Sequence, residues 1–225
     1  MGADIDKEGV ERAYARWAPI YDAVFGKVFA PGRAAAIAAA DAFCGPAGGR
    51  ILDVGVGTGI ALPAYRPLNR LVGVDLCEPM LRKAAERVAE HKLVNVETLA
   101  VMDAEHLAFA DGAFDVVVAQ FVITAVPHPE STLDEFVRVT REGGEIILVN
   151  HIGAERGPRR LFEMCFAPLA RRLGWRPEFP FARLSDWARR HGGVQMVEHR
   201  PLAPLGHFSL FRFKRLPGAE RQSAA

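Results

Sequence analysis

The sequence predicts a doubly wound α/β fold, a mostly parallel seven-stranded sheet with helices on both faces. Three features point to it: short β-branched runs alternating with amphipathic stripes, a glycine-rich turn directly after the first run, and an acidic residue closing the second. Runs at 50–54 (RILDV), 71–75 (LVGVD), 94–101, 114–121 and 145–150 read as strands, each bounded by glycines, polar turns or a helical stretch. Between them, 78–91 places Met80, Leu81, Ala84, Ala85 and Val88 on one helical face. Residues 131–140 do the same with Leu133, Phe136, Val137 and Thr140. Repeated strand–helix–strand units imply crossovers, and hence parallel pairing. Two further strand candidates, 194–199 and 207–214, complete the sheet.

Two stretches stand outside this core. In 6–43, Val10, Ala13, Tyr14 and Trp17 share a helical stripe, Pro19 interrupts it, and Tyr21, Phe25, Val28 and Phe29 form a second. In 156–190, nine arginines face three acidic residues (Glu163, Glu178 and Asp186) among many large apolar side chains. The expected organisation is an N-terminal helical lid at 1–44 and a domain at 45–215 carrying the Arg-rich helical insertion 156–190. A flexible tail at 216–225 follows.

Composition narrows the function classes. Half of the 225 residues are hydrophobic, enough to bury a sizeable core, and the net charge is +1, without the basic excess of a general nucleic-acid binder. Cys44, Cys77 and Cys165 are odd in number and widely spaced, which suits a reducing, cytoplasmic compartment. His91, His106, His128, His191, His199 and His207 show no ligand spacing with them, so no metal is expected. The polar start MGADIDKEG does not read as a signal peptide, and no apolar run approaches the roughly 18 residues of a spanning helix. The expectation is a soluble protein, or one lying on a membrane surface.

The sharpest local signal is the string from Ile51 to Gly59, ILDVGVGTG, at a strand–helix junction. Glycines there let backbone N–H groups approach a ligand closely. Ile60 stands where the dinucleotide pattern requires glycine, and no Gly-Lys-Ser/Thr follows to make a triphosphate loop. Asp75, ending the second strand, is placed to accept from a ribose diol. A tight turn without a ligand is the competing reading of the loop, as a turn or cap residue is for Asp103.

Together, LDVGVGTG, VGVDLCEPML, MDAEHLAFADGAFDVVVAQ and EGGEIILVN resemble the class I S-adenosylmethionine-dependent methyltransferases over about 50–150. That resemblance implies a Rossmann-like fold and S-adenosylmethionine as methyl donor, with S-adenosylhomocysteine as product. It implies that Gly55, Gly57 and Gly59 border the methionine part, with Asp53 supporting the loop or the amino group. Asp75 would take the ribose hydroxyls, and Leu76 and Met80 would flank the adenine. Asp103 would accept from its amino group, the Ala104 N–H would meet a ring nitrogen, and Gln120 would lie near the methyl donor.

The flanks are more discriminating. The stretch from Tyr14 to Gly26, YARWAPIYDAVFG, then Gly32-Arg33 and the Asn150–Gly153 tetrad before the arginine-rich segment, resembles the soluble bacterial phosphatidylethanolamine N-methyltransferases. Quinone-pathway C-methyltransferases share a shorter Ala-Pro-x-Tyr-Asp element, and they are the alternative, with a non-catalytic S-adenosylmethionine-binding module as a third reading. The phospholipid resemblance implies peripheral association with an anionic membrane, on the inner face of the cell membrane. It makes Tyr14, Tyr21, Arg33 and His151 substrate-facing, with Tyr21 and His151 at the reacting centre. The chemistry is consistent. A lysine-like ammonium titrates near ~10.4 and must lose its proton before attack, and a dry site beside a sulfonium lowers that value. A quaternary ammonium product is held by aromatic faces, for which Tyr14, Trp17 and Tyr21 are candidates.

Overall fold

The computed structural model describes residues 21–153, 179–202 and 208–218, with Gly9 and Gly206; the side chains of residues 21 and 23–25 lie outside that description. Seven strands form one sheet: β1 (Arg50–Val54), β2 (Arg70–Asp75), β3 (Val96–Val101), β4 (Phe114–Gln120), β5 (Thr140–His151), β6 (Val194–Leu202) and β7 (Phe208–Arg215). Their order is β3-β2-β1-β4-β5-β7-β6, parallel from β3 to β5 and antiparallel on both sides of β7. The order reverses between β1 and β4, which opens a crevice beyond the carboxyl ends of those strands.

The central strands are apolar on both faces because both are covered. In β4, Val116 and Val118 face α1 (Tyr21–Cys44) through Ala36, Ile37 and Ala40. Val117 and Ala119 face the opposite core, with α3 (Pro129–Val139) through Leu133 and Phe136, and α4 (Phe181–His191) through Leu184 and Trp187. Leu81 brings α2 (Glu78–Glu90) onto the α1 side. Helix starts follow local chemistry: Cys77 and Pro180 are extended residues before α2 and α4, and Pro79 and Pro129 occupy first turns, where a missing N–H costs nothing. Gly192, with φ 67°, ends α4 in a left-handed cap.

The elements depart from expectation in three places. The stripe beginning at Tyr21 continues as one helix through Pro31 to Cys44, and its second half is a layer of the core. β5 begins at Thr140, expected to be helical; its hydroxyl instead bonds the Phe136 carbonyl and closes α3. The end of the 156–190 segment is a core helix: Trp187 donates to Asp134 at 2.7 Å, and Arg183 grips Glu130 with two hydrogen bonds. Residues 154–178 lie outside the described residues.

Candidate active site

A cleft of about 870 Å³, counting the space open to solvent, lies at the crevice between β1, β2 and β4. Of the residues singled out for the cofactor, Gly55, Gly57, Asp75, Leu76, Met80, Asp103, Ala104 and Gln120 line it. Three segments far apart in sequence meet there because parallel strands deliver their carboxyl ends to the same edge.

The glycine loop is built from positive-φ residues. Gly55 (φ 69°) donates to the Val74 carbonyl, and a Cβ on it would reach within 2.3 Å of Val122 Cγ2. Gly57 (φ 57°) faces open space and donates to Asp75 Oδ2 at 2.9 Å, while Cys77 N–H donates to Oδ1 at 2.8 Å. Asp75 therefore ties the loop to the end of β2 while both oxygens keep lone pairs. Burial pushes its carboxyl above the usual range, and the backbone donors at Cys77, Gly57 and Leu76 pull the other way. Gly59 serves packing: a Cβ there would meet Ala84 and Leu62 at 3.0 Å, so the loop could not seat on α2.

Asp53 lies beneath the loop, 1% exposed, accepting from the Tyr65 hydroxyl at 3.0 Å. Burial raises its carboxyl to about 7; the Tyr65 bond opposes the rise and the charge of Asp75 adds to it. Asp103 accepts from Glu105 N–H in a turn and is also among the residues lining the cleft. Gln120 ends β4, and its Oε1 is buried with no hydrogen-bond partner.

Other residues were not legible as site residues. Phe121 lines the cleft at φ 64°, a strained conformation for an aromatic residue. Its ring stacks on Phe29 at 4.3 Å, and Phe208 meets both rings edge-on. Asp22, in the first turn of α1, accepts from the Thr58 hydroxyl at 2.6 Å and from Arg87 at 2.7 Å, clamping that helix to the glycine loop. Nothing in their sequence spacing marks these contacts, since each partner lies on another element.

Of the substrate-side candidates, Arg33 and His151 have described side chains, and neither lines the cleft. His151 ends β5, partly buried, with its ring edge-on to Phe208 at 6.3 Å, and is not among the residues lining the cleft. Arg33 donates to the Gly26 carbonyl of its own helix. Tyr14, Trp17 and the Tyr21 side chain lie outside the described residues. Among the described residues, no group of three His, Cys, Asp or Glu side chains is arranged to hold a metal ion.

The arrangement fits an adenosyl amino acid. Gly57 leaves space that a Cβ would narrow, Asp75 has lone pairs free for hydroxyls, and Gln120 offers an unpaired buried carbonyl. A sheet of this order with a glycine loop after β1 and an acid after β2 defines the class I methyltransferases. The chain matches the methyltransferase domain family over residues 52–148. It is 40% identical over 211 residues to phosphatidylethanolamine N-methyltransferase of Cereibacter sphaeroides, covering 94% of this chain and all of that one. It is 33% identical over 187 residues to demethylmenaquinone methyltransferase of Roseiflexus sp. strain RS-1, covering 78% and 76% of the two chains. The solved structure of the cyclase SpnF superposes with a TM-score of 0.78 at 17% identity, over 97% of this chain and 99% of that one, a likeness of fold alone. The chain belongs to the S-adenosylmethionine-dependent methyltransferase family.

Proposed function

We propose that this methyltransferase acts on the head-group nitrogen of phosphatidylethanolamine and of its mono- and dimethylated forms, giving phosphatidylcholine or its precursors. The observation that carries the reading is the end-to-end 40% identity with the Cereibacter enzyme, which extends through both flanks of the cofactor domain. The quinone-ring alternative rests on a relative of lower identity and shorter coverage.

When bound, S-adenosylmethionine supplies a methyl group made electrophilic by its sulfonium. The chain's part is to bind, orient and exclude water. Asp75 would hold the ribose diol, Asp103 and the Ala104 N–H the adenine edge between Leu76 and Met80, and Gly55, Gly57 and Asp53 the amino-acid end. In-line placement of nitrogen, methyl carbon and sulfur supplies much of the acceleration. Phe121, which lines the cleft and is backed by the rings of Phe29 and Phe208, supports the lipid reading, because it brings an aromatic side chain to the cleft, where methylated ammonium groups are favoured. In this reading residues 1–44 form the substrate-facing element, carrying Tyr14, Tyr21 and Arg33. Tyr21 and His151 act at the amine or its phosphate.

Purified protein incubated with labelled S-adenosylmethionine should methylate vesicles containing phosphatidylethanolamine and leave demethylmenaquinone unlabelled. Label in the quinone and none in the lipid would reverse the assignment. Tyr21→Phe should lower turnover more than cofactor affinity, and His151→Ala should weaken lipid use; parental rates in both would remove them from the reacting centre.

A further inference from the structure

Gly57 and Thr58 are neighbours in the glycine loop, and each is held by a carboxylate from a different element. Gly57 lines the cleft and gives its N–H to Asp75 Oδ2 at 2.9 Å. Thr58, buried behind it, gives its hydroxyl to Asp22 Oδ1 at 2.6 Å, in the first turn of α1. The other Asp22 oxygen takes Arg87 of α2 at 2.7 Å. Arg87 also donates to the Thr58 carbonyl and, at 3.3 Å, to its hydroxyl oxygen. Helix α2 in turn starts after Cys77, whose N–H rests on Asp75 Oδ1. These bonds close a circuit through Asp75, Gly57, Thr58, Asp22 and Arg87, and back along α2. One member, Asp75, lines the cofactor cleft, and another, Asp22, belongs to α1. The helix dipole alone would favour an acidic residue in a first turn, with its oxygens left to water. Both oxygens of Asp22 are instead committed to other elements.

We infer that Asp22 is a positioning residue that couples the cofactor loop to the start of α1: bound cofactor firms the helix, and the seated helix tightens the cofactor. The physical reason is linkage. A ligand on Asp75 and Gly57 restrains Thr58, the next residue, and so favours the arrangement in which Thr58 and Arg87 meet Asp22. Whatever factor the cofactor adds to that arrangement, the arrangement adds to cofactor affinity. Where α1 faces the acceptor, a step that rests on the phospholipid reading, the acceptor then binds best to the cofactor-loaded protein.

The experiment uses the full chain as parent, Thr58→Val, Thr58→Ser and Asp22→Ala, with S-adenosylhomocysteine as the probe. Thr58→Val keeps the branched shape and removes the hydroxyl, whereas Thr58→Ser keeps the hydroxyl. In the parent, saturating probe should slow amide exchange over residues 25–30 about fivefold, at the low end of coupling between sites because Asp22 and Arg87 are partly exposed. In Thr58→Val and Asp22→Ala that slowing should vanish, and calorimetric affinity should fall by about the same factor. Thr58→Ser should restore both. A clamp that merely held the fold together would lower the melting temperature of these variants and leave both ligand readings as in the parent. No slowing in the parent overturns the inference. So does parental affinity or surviving probe-dependent protection in a folded Thr58→Val, or a loss that Thr58→Ser does not restore, because linkage requires the two effects to go together. Should Thr58→Val not fold, Asp22→Ala, on the partly exposed side of the clamp, decides by the same criteria. With cofactor saturating, Thr58→Val should raise the KM for phosphatidylethanolamine with kcat kept, and a parental KM overturns the step from helix to acceptor. If the parent leaves phosphatidylethanolamine unlabelled, the phospholipid reading fails by itself, and exchange and calorimetry still decide the coupling.

Discussion

Asp75 holds the N–H groups of Gly57 and Cys77 on its two oxygens and would take the ribose with its remaining lone pairs. Asp75→Asn keeps one acceptor oxygen, so the fold should survive while calorimetric affinity for S-adenosylmethionine drops at least about tenfold. Asp75→Ala strips both N–H groups of their acceptor and should also lower folding stability, by about 1–3 kcal/mol in denaturant titration. Asp53 behaves differently. Its folded-state carboxyl holds a proton up to about pH 7, chiefly through burial, whereas the unfolded chain releases it near the ordinary value of 3.8. The folded state binds the extra proton across that window, so this group's contribution to stability is greatest at low pH and declines as pH rises through it. Asp53→Asn, always neutral, should therefore melt above the parent at about pH 8 and approach it as pH falls to about 4. A melting difference that grows toward acid would contradict the assignment.

Helix α1 is tied down at its start and held close to the sheet at its middle. At its start, Asp22 links Thr58 and Arg87, so the helix and the glycine loop are held by one carboxylate at a position where the helix dipole also favours negative charge. The pair is partly exposed, and a double-mutant cycle of Asp22→Ala and Arg87→Ala should return a coupling of about 0.5–1 kcal/mol. Amide exchange in the first turns of α1 should speed up in Asp22→Ala. Farther along, Gly32 lets the helix settle onto the sheet: a Cβ there would come within 2.9 Å of both Phe121 Cζ and Val149 Cγ1. Alanine is the better helix former by about 1 kcal/mol, yet Gly32→Ala should destabilise by about 1–3 kcal/mol because Phe121 is already strained and cannot yield cheaply. Chemical denaturation measures the sign.

At the scale of the molecule, the proposed diacyl lipid substrate would be met at the bilayer interface. Among the described residues no helix is long and apolar enough to cross a membrane. We propose peripheral binding through the segment before Tyr21 and the arginine-rich stretch. Arg183 and Arg189 are already paired with Glu130 and Asp186, and Arg190 bonds the Asp186 carbonyl. In this proposal the attraction to anionic head groups is carried by arginines earlier in that stretch, such as Arg171 and Arg172. Vesicles rich in phosphatidylglycerol should float the protein at low salt and release it at high salt, each basic residue near the surface being worth about 1 kcal/mol. Replacing Arg171 and Arg172 by Glu should abolish flotation, whereas Arg189→Glu should not. Deletion of residues 1–17 should reduce both vesicle binding and activity on vesicles. Protein that stays out of such vesicles yet methylates their lipid would end the proposal.

The sheet and the cofactor loop were legible in the sequence because their signals are local. Strand runs such as RILDV, the stripe of α2, and Gly55, Gly57 and Asp75 within one strand–loop–strand unit all report themselves over a few residues. The register at which β4 and β5 bring Gln120 to that loop was decided by tertiary packing, as was the return of α1 through Asp22 to Thr58. The same holds for Tyr65, whose hydroxyl finds its acceptor, Asp53, on a strand of the sheet and not on its own turn. Sequence patterning records which side chains must leave water and at what period. It does not record which polar group each will meet once buried, because that partner comes from a distant part of the chain and is chosen by the closing of the fold.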